Sequence, residues 1–128
     1  MKVDGQDRFI VINNKASSLY SLIADGQFRA TTLTRDTWKS LVGEEASLQL
    51  YCNQQGFNAK VESNPGGPEA RIGILANEQN DCGSCDSRIG FGTGGPHDDS
   101  NTCGNEAKHN DENGGDKHIK AMGYILVQ

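Results

Sequence analysis

A chain of 128 residues with 34% hydrophobic content and 16 glycines is one domain with a modest core, loop-rich, in which turns take up much of the length. Its formal net charge of -5 argues against nucleic acid and anionic membrane, which need basic patches, and leaves neutral ligands and cations as partners. Four cysteines, an even number, fit two disulfides and an extracellular, secreted protein.

No apolar run approaches the roughly 18 residues that would insert in a membrane. No basic-then-apolar signal is present, so the secreted reading takes this sequence as the mature form with Met1 added. No Asn-x-Ser/Thr acceptor occurs, and glycosylation offers no independent sign of secretion.

In chain order, RFIVIN at 8–13 is a continuous run of strand-forming residues and predicts a first strand. LYSLIA at 19–24, the turn pair Asp25-Gly26 and the alternating stretch 27–33 predict a strand, a tight turn and a strand. Residues 34–43 carry the best helix signal. Thr34 is the N-cap, Asp36 lies in the first turn, Gly43 is the stop, and Trp38, Leu41 and Val42 share one face. Trp38 reads as a core anchor.

ASLQLYC at 46–52 alternates like a half-buried strand, with 56–61 as its hairpin partner across Asn53, Gln54 and Gln55. Residues 64–68, Asn-Pro-Gly-Gly-Pro, break the chain. Residues 70–76 predict another strand, in which Gly73 marks a bulge or a close backbone approach. Residues 87–92 repeat its Arg-Ile-Gly pattern and predict a similar strand. Nothing is periodic from 93 to 117, and the apolar segment 118–128 predicts a closing strand, central in its sheet. The expected fold is mainly β (α+β), with twisted antiparallel sheets, one short helix near residues 35–42 and long metal-binding loops.

Residues 77–106 concentrate three cysteines, many glycines and a dense set of carboxylates and amides, with little apolar content beyond Ile89 to Phe91. Such a stretch cannot hold its shape by burying hydrocarbon, which leaves disulfides and a bound cation as the usual means. Asp81, Asp86, Asp98, Asp99, Asn101, Asn105 and Glu106 are hard oxygen donors at irregular loop spacing, and calcium accepts six to eight of these. Asp111 to Asp116 lacks the full spacing of an EF-hand loop. Cys82-x-x-Cys85 is half of a zinc spacing, but Cys103 with His97 or His109 completes no common zinc module.

A thioredoxin-like role for Cys82 and Cys85 would need a helix N-terminus to lower a thiol pKa, whereas Asp81 and Asp86 would raise it. A disulfide framework over Cys52, Cys82, Cys85 and Cys103 is expected instead. Four cysteines allow three pairings, of which Cys52 with Cys103 and Cys82 with Cys85 is the expected one. His97 lies in a Gly-Gly-Pro-His-Asp-Asp turn suited to ligand contact, while His118 reads as a surface residue. No nucleophile elbow, HExxH or P-loop is found, so the chain is not expected to be an enzyme.

Residues 89–98, IGFGTGGPHD, followed by Cys103-Gly104-Asn105, resemble the C-terminal part of the intelectins, calcium-dependent lectins distantly related to fibrinogen-like domains. In that family a glycine-rich turn leads to Pro and an acidic residue and then to Cys-Gly-Asp. The acidic residue and the Asp hold calcium, and vicinal sugar hydroxyls complete its shell. The resemblance implies ligand roles for Asp98, or His97 in a gap-free reading, and for Asn105, with 119–128 as closing strand. Most of the chain, including DGQFRATTLTRDTWKSL and DKHIKAMGYILVQ, is similar to sea-anemone galactose-binding lectins and coral skeletal organic matrix proteins.

Asn105 departs from the Asp of the intelectin motif, and 104–117 contain none of the aromatics that form the intelectin sugar wall. The resemblance therefore implies galactose, held through a cis pair of hydroxyls. The expected function is a secreted, calcium-dependent lectin for terminal galactose. Asp81, Asp86, Asp98, Asp99 and Glu106 are the expected metal ligands, and His97, Asp98 and Asn105 contact the sugar. A homodimer or larger assembly is expected because single lectin sites are weak. The rival is an acidic matrix or biomineral protein that binds calcium without a sugar.

Overall fold

The computed structural model of the chain describes residues 1–61 and 65–128. A short hairpin, β1 (Lys2–Val3) and β2 (Gln6–Asp7), precedes a helix α1 (Leu19–Ile23), a strand β3 (Arg29–Ala30) and a second helix α2 (Arg35–Ser40). The long strands β4 (Tyr51–Lys60), β5 (Glu69–Asn77) and β6 (Ser87–Gly94) follow, then β7 (Cys103–Ala107) and β8 (Lys117–Lys120). A single 3-10 turn, Cys82–Ser84, lies between β5 and β6. β3 to β8 form one six-stranded sheet in sequence order, antiparallel throughout, so the fold is mainly β as expected.

A row of glycines crosses the middle of this sheet. Gly56, Gly73, Gly90 and Gly104 are successive register partners on β4, β5, β6 and β7. A Cβ on Gly73 would run into the carbonyl oxygen of Ile89, and one on Gly90 into that of Ile72. The expected close approach at Gly73 is thus present, and the repeated Arg-Ile-Gly pattern exists because two neighbouring strands meet glycine to glycine.

α2 forms where its signals lie. Thr34 Oγ1 accepts from the Thr37 amide at 3.1 Å, and the fully buried Trp38 donates from Nε1 to Gln55 Oε1 at 2.8 Å. Trp38, Leu41, Val42 and Leu48 pack with Phe57, Ile72, Ile74 and Ile89 of the sheet to make the main core. A smaller cluster joins Ala59, Val61, Ala70, Leu75 and Cys85.

Several expectations need correction. Residues 19–23 are helix rather than strand, because Ser18 and Ser21 form a reciprocal capping box and Leu19, Leu22 and Ile23 lie on the side packed against the core. Asp25-Gly26 then ends that helix instead of turning a hairpin, with the Gly26 amide donating to Ile23 O at 3.2 Å. Residues 8–13 alternate, with Phe9 and Val11 outward and Ile10 and Ile12 against the core, but they join no ladder.

Asn53, Gln54 and Gln55 are not a turn. Cys52 and Asn53 take positive φ (74° and 45°), and the register slips between Tyr51 and Gln54, which makes a bulge inside one continuous β4. The break at 64–68 lies partly outside the described residues, at Asn64, and the turn at Pro65 and Gly66 follows it. The aperiodic stretch 93–117 contains β7.

The closing segment is not central. β8 is an edge strand, and beyond it Tyr124, Leu126 and Val127 are largely exposed. The cysteine pairing also differs, since Cys52 bonds Cys82 while Cys85 and Cys103 are free thiols. The bulge at Cys52 brings that residue to the 3-10 turn that carries Cys82.

Candidate metal centre

The site is built on a row of three residues running across the sheet. Arg88 on β6, Glu106 on β7 and His118 on β8 are register partners in turn. Arg88 and Glu106 are almost fully buried, whereas the His118 side chain is 46% exposed at the sheet edge. Burial alone pushes the Arg88 guanidinium below its ordinary pKa, and the carboxylates of Glu106, Asp99, Asp98 and Glu69 oppose that shift.

Arg88 also shapes the loop after β6. Its Nη1 donates to the carbonyls of Gly95 (3.1 Å) and Pro96 (2.6 Å), and its Nη2 to those of Asp98 (2.6 Å) and Asn101 (3.5 Å). The guanidinium fork thereby folds residues 95–101 back over the row and brings Asp98 to it. His118 Nδ1 lies 2.7 Å from Glu106 Oε2 and 3.2 Å from Asp98 Oδ2. Among the described residues, Asp98, Glu106 and His118 alone place three acidic, thiol or imidazole ligand atoms within 4.8 Å of one another.

Asn101 supports the cluster from beneath. Its Nδ2 donates to Glu106 Oε2 at 3.0 Å and to the carbonyls of Asn105 and Ile119 at 3.2 Å, which fixes the amide. Its Oδ1 is then a buried oxygen without a hydrogen-bond partner among the described residues. Asp98 is held below the usual carboxylate range by the Ser100 hydroxyl and amide, then by His118 and Lys120. The donor set is therefore two carboxylates, one held ionised, and an imidazole. The carboxylates suit a hard cation, and the imidazole nitrogen suits a first-row transition metal better than calcium.

The other expected ligands lie elsewhere. Asp81 Oδ1 accepts from Gly83 N and caps the 3-10 turn, and Asp99 Oδ1 accepts from Gly95 N, each at 2.8 Å. Asp86 Oδ1 lies 2.7 Å from His97 Nε2. The His97 ring meets His109 edge to face, at 5.2 Å between centroids. The pKa of Glu78, not foreseen from the sequence, is raised by the neighbouring Asp86 carboxylate, with burial adding to the shift. Glu78 Oε2 accepts from Gln49 at 3.0 Å.

Asn105, expected to contact the sugar, is placed differently. It is fully buried; its Oδ1 accepts from Ser47 N (2.7 Å), and its Nδ2 donates to Ser47 O (2.8 Å) and Arg88 O (3.0 Å). It ties β7 to the segment preceding β4 and offers no free group to a ligand. Arg88 and His118 were missed in these roles, whereas Asn101 stood among the expected oxygen donors. The sole advance signal was an arginine inside an otherwise apolar strand, which calls for an acceptor nearby. The chain matches no protein-family model, no curated protein and no solved structure.

Proposed function

We propose that this protein is a calcium-dependent lectin for terminal galactose, with the cation held by Asp98 and Glu106 and two vicinal sugar hydroxyls completing its shell. The observation that carries the reading is the convergence of Asp98, Glu106 and His118 under the loop that Arg88 folds back. Two carboxylates cannot fill the six to eight positions calcium demands, which leaves coordination for sugar and water. His118 serves as a hydrogen-bonding neighbour of the carboxylates. His97, exposed on the same loop, offers a polar ring to the sugar. Asp81 and Asp99 have no part in this site, since their contacts are local, and Asp86 reaches it only through His97, whose ring it holds at 2.7 Å.

The disulfide supports an extracellular setting. A lone site of this kind binds near the millimolar range, about 4 kcal/mol, so avidity requires assembly into a homodimer or larger oligomer. Exposed Phe9, Tyr124 and Leu126 supply apolar surface for such contacts.

The matrix-protein reading is favoured by the dispersal of Asp81, Asp86 and Asp99 away from the cluster, since a mineral-binding protein needs charge density and no single ion. Galactose-agarose in calcium buffer separates the two readings. The lectin is retained and elutes both with EDTA and with free galactose. A protein that flows through while still binding calcium is not a galactose lectin.

A further inference from the structure

We propose that the Cys52–Cys82 disulfide exchanges internally with the Cys85 thiol, so that the protein interconverts between a Cys52–Cys82 form and a Cys52–Cys85 form. Cys85 Sγ lies 3.8 Å from Cys52 Sγ, in contact with the sulfur it would attack, and 3.6 Å from the Cys82 carbonyl. Cys85 and Cys52 belong to the same small apolar cluster beneath the 3-10 turn, whereas Cys103 packs with the main core. Three of the four cysteines thus meet at one place, with one sulfur more than a single disulfide can use.

The exchange balances without any external reagent. The Cys85 thiolate attacks Cys52 Sγ, a Cys52–Cys85 bond forms, and the Cys52–Cys82 bond breaks. The electron pair of the broken bond leaves on the Cys82 sulfur, which takes up the proton that Cys85 gave up. Nothing is oxidised or reduced overall. What changes is where the thiol sits, because Cys85 is 2% exposed while Cys82 lies on an exposed turn. The exchange carries a reactive thiol from the interior to the surface and keeps β4 stapled to the turn in both forms.

The surroundings set its rate. Burial, and then the carboxylates of Asp86, Asp81 and Glu78, push the Cys85 thiol up to about 11. The attacking thiolate is scarce at neutral pH and grows about tenfold per pH unit until that value is approached. Asn77 limits the movement required. Its Nδ2 donates to Asp81 O at 2.5 Å and to Ser84 Oγ at 3.1 Å, which pins the turn on either side of Cys82 and Gly83.

The test uses the oxidised full chain, held native with excess iodoacetamide between pH 7 and 10, quenched in acid and mapped by mass spectrometry without reduction. The expected product carries alkylated Cys82 together with a Cys52–Cys85 bond. Its rate of formation rises about tenfold per pH unit, and Cys85→Ser abolishes labelling at Cys82 while Cys103 still reacts. Alkylation at Cys85 with Cys52–Cys82 intact would overturn the proposal. So would an absence of Cys82 labelling at every pH in the wild-type protein, a result that does not depend on whether the variant folds.

Discussion

Replacing Arg88 with Met is expected to lower the melting temperature by roughly 10 to 20 °C, from a loss of about 3 to 5 kcal/mol, and to abolish cation binding at Asp98 and Glu106. The side chain is 1% exposed and its guanidinium donates to four carbonyls of the 95–101 loop. Met fills much of the volume but supplies no donor. The carbonyls of Gly95, Pro96 and Asp98 lose this donor, and buried Glu106 loses the cation opposite it. Thr93 Oγ1, which donates to Asn101 O at 2.7 Å, holds only the far end of the loop. Arg88→Lys should recover little, since an ammonium cannot reproduce the fork. Thermal melts of both variants check this, and a fall of less than about 2 °C for Arg88→Met would mean that the loop is held by something else.

Asn105→Asp is expected to destabilise by about 3 kcal/mol at pH 7, although it places there the acid that the intelectin motif carries. The present amide donates to Ser47 O and Arg88 O. A carboxylate there would face both carbonyl oxygens with no hydrogen to give. The new carboxyl would be held protonated by these neighbours, with its folded pKa above the unfolded one. Its cost therefore fades as the pH falls through the unfolded value and is felt in full above the folded value. Melting curves at pH 4 and pH 7 test the sign. An unchanged melting temperature combined with tighter calcium binding would instead make position 105 a metal ligand, as the intelectin resemblance implies.

Local signals served where one residue type carries one meaning. Thr34 as cap and the spacing of Trp38, Leu41 and Val42 located α2, and the two Arg-Ile-Gly strands lie where their patterns predict. At 19–24 the turn pair Asp25-Gly26 suggested a hairpin, whereas the capping box of Ser18 and Ser21 makes a helix. At Asn53, Gln54 and Gln55 polar residues suggested a turn, while left-handed backbone at Cys52 and Asn53 makes a bulge. The final segment is strand-like in composition, yet its place at the sheet edge depends on how many strands precede it, which no local pattern records.

The site was legible as a list of acids but not as an arrangement. Asp98 and Glu106 are eight residues apart and stand together only because Arg88, Glu106 and His118 share a register and Arg88 folds the intervening loop. Asp81 and Asp99 look like ligands for the same reason they cap turns, since a short carboxylate at a loop corner finds the nearest amide. His118 was unremarkable in sequence because its meaning comes from Glu106 across the ladder.

Calorimetric titration of calcium into the wild-type protein and into Asp98→Asn tests the central claim most directly. The Asp98 side chain is 37% exposed, so its neutralisation leaves the core intact. One site per chain in the wild type, weakened at least about tenfold by Asp98→Asn, is the expected result. Several weak, equivalent sites that Asp98→Asn leaves unchanged would contradict it and would point to dispersed carboxylates acting through charge density alone.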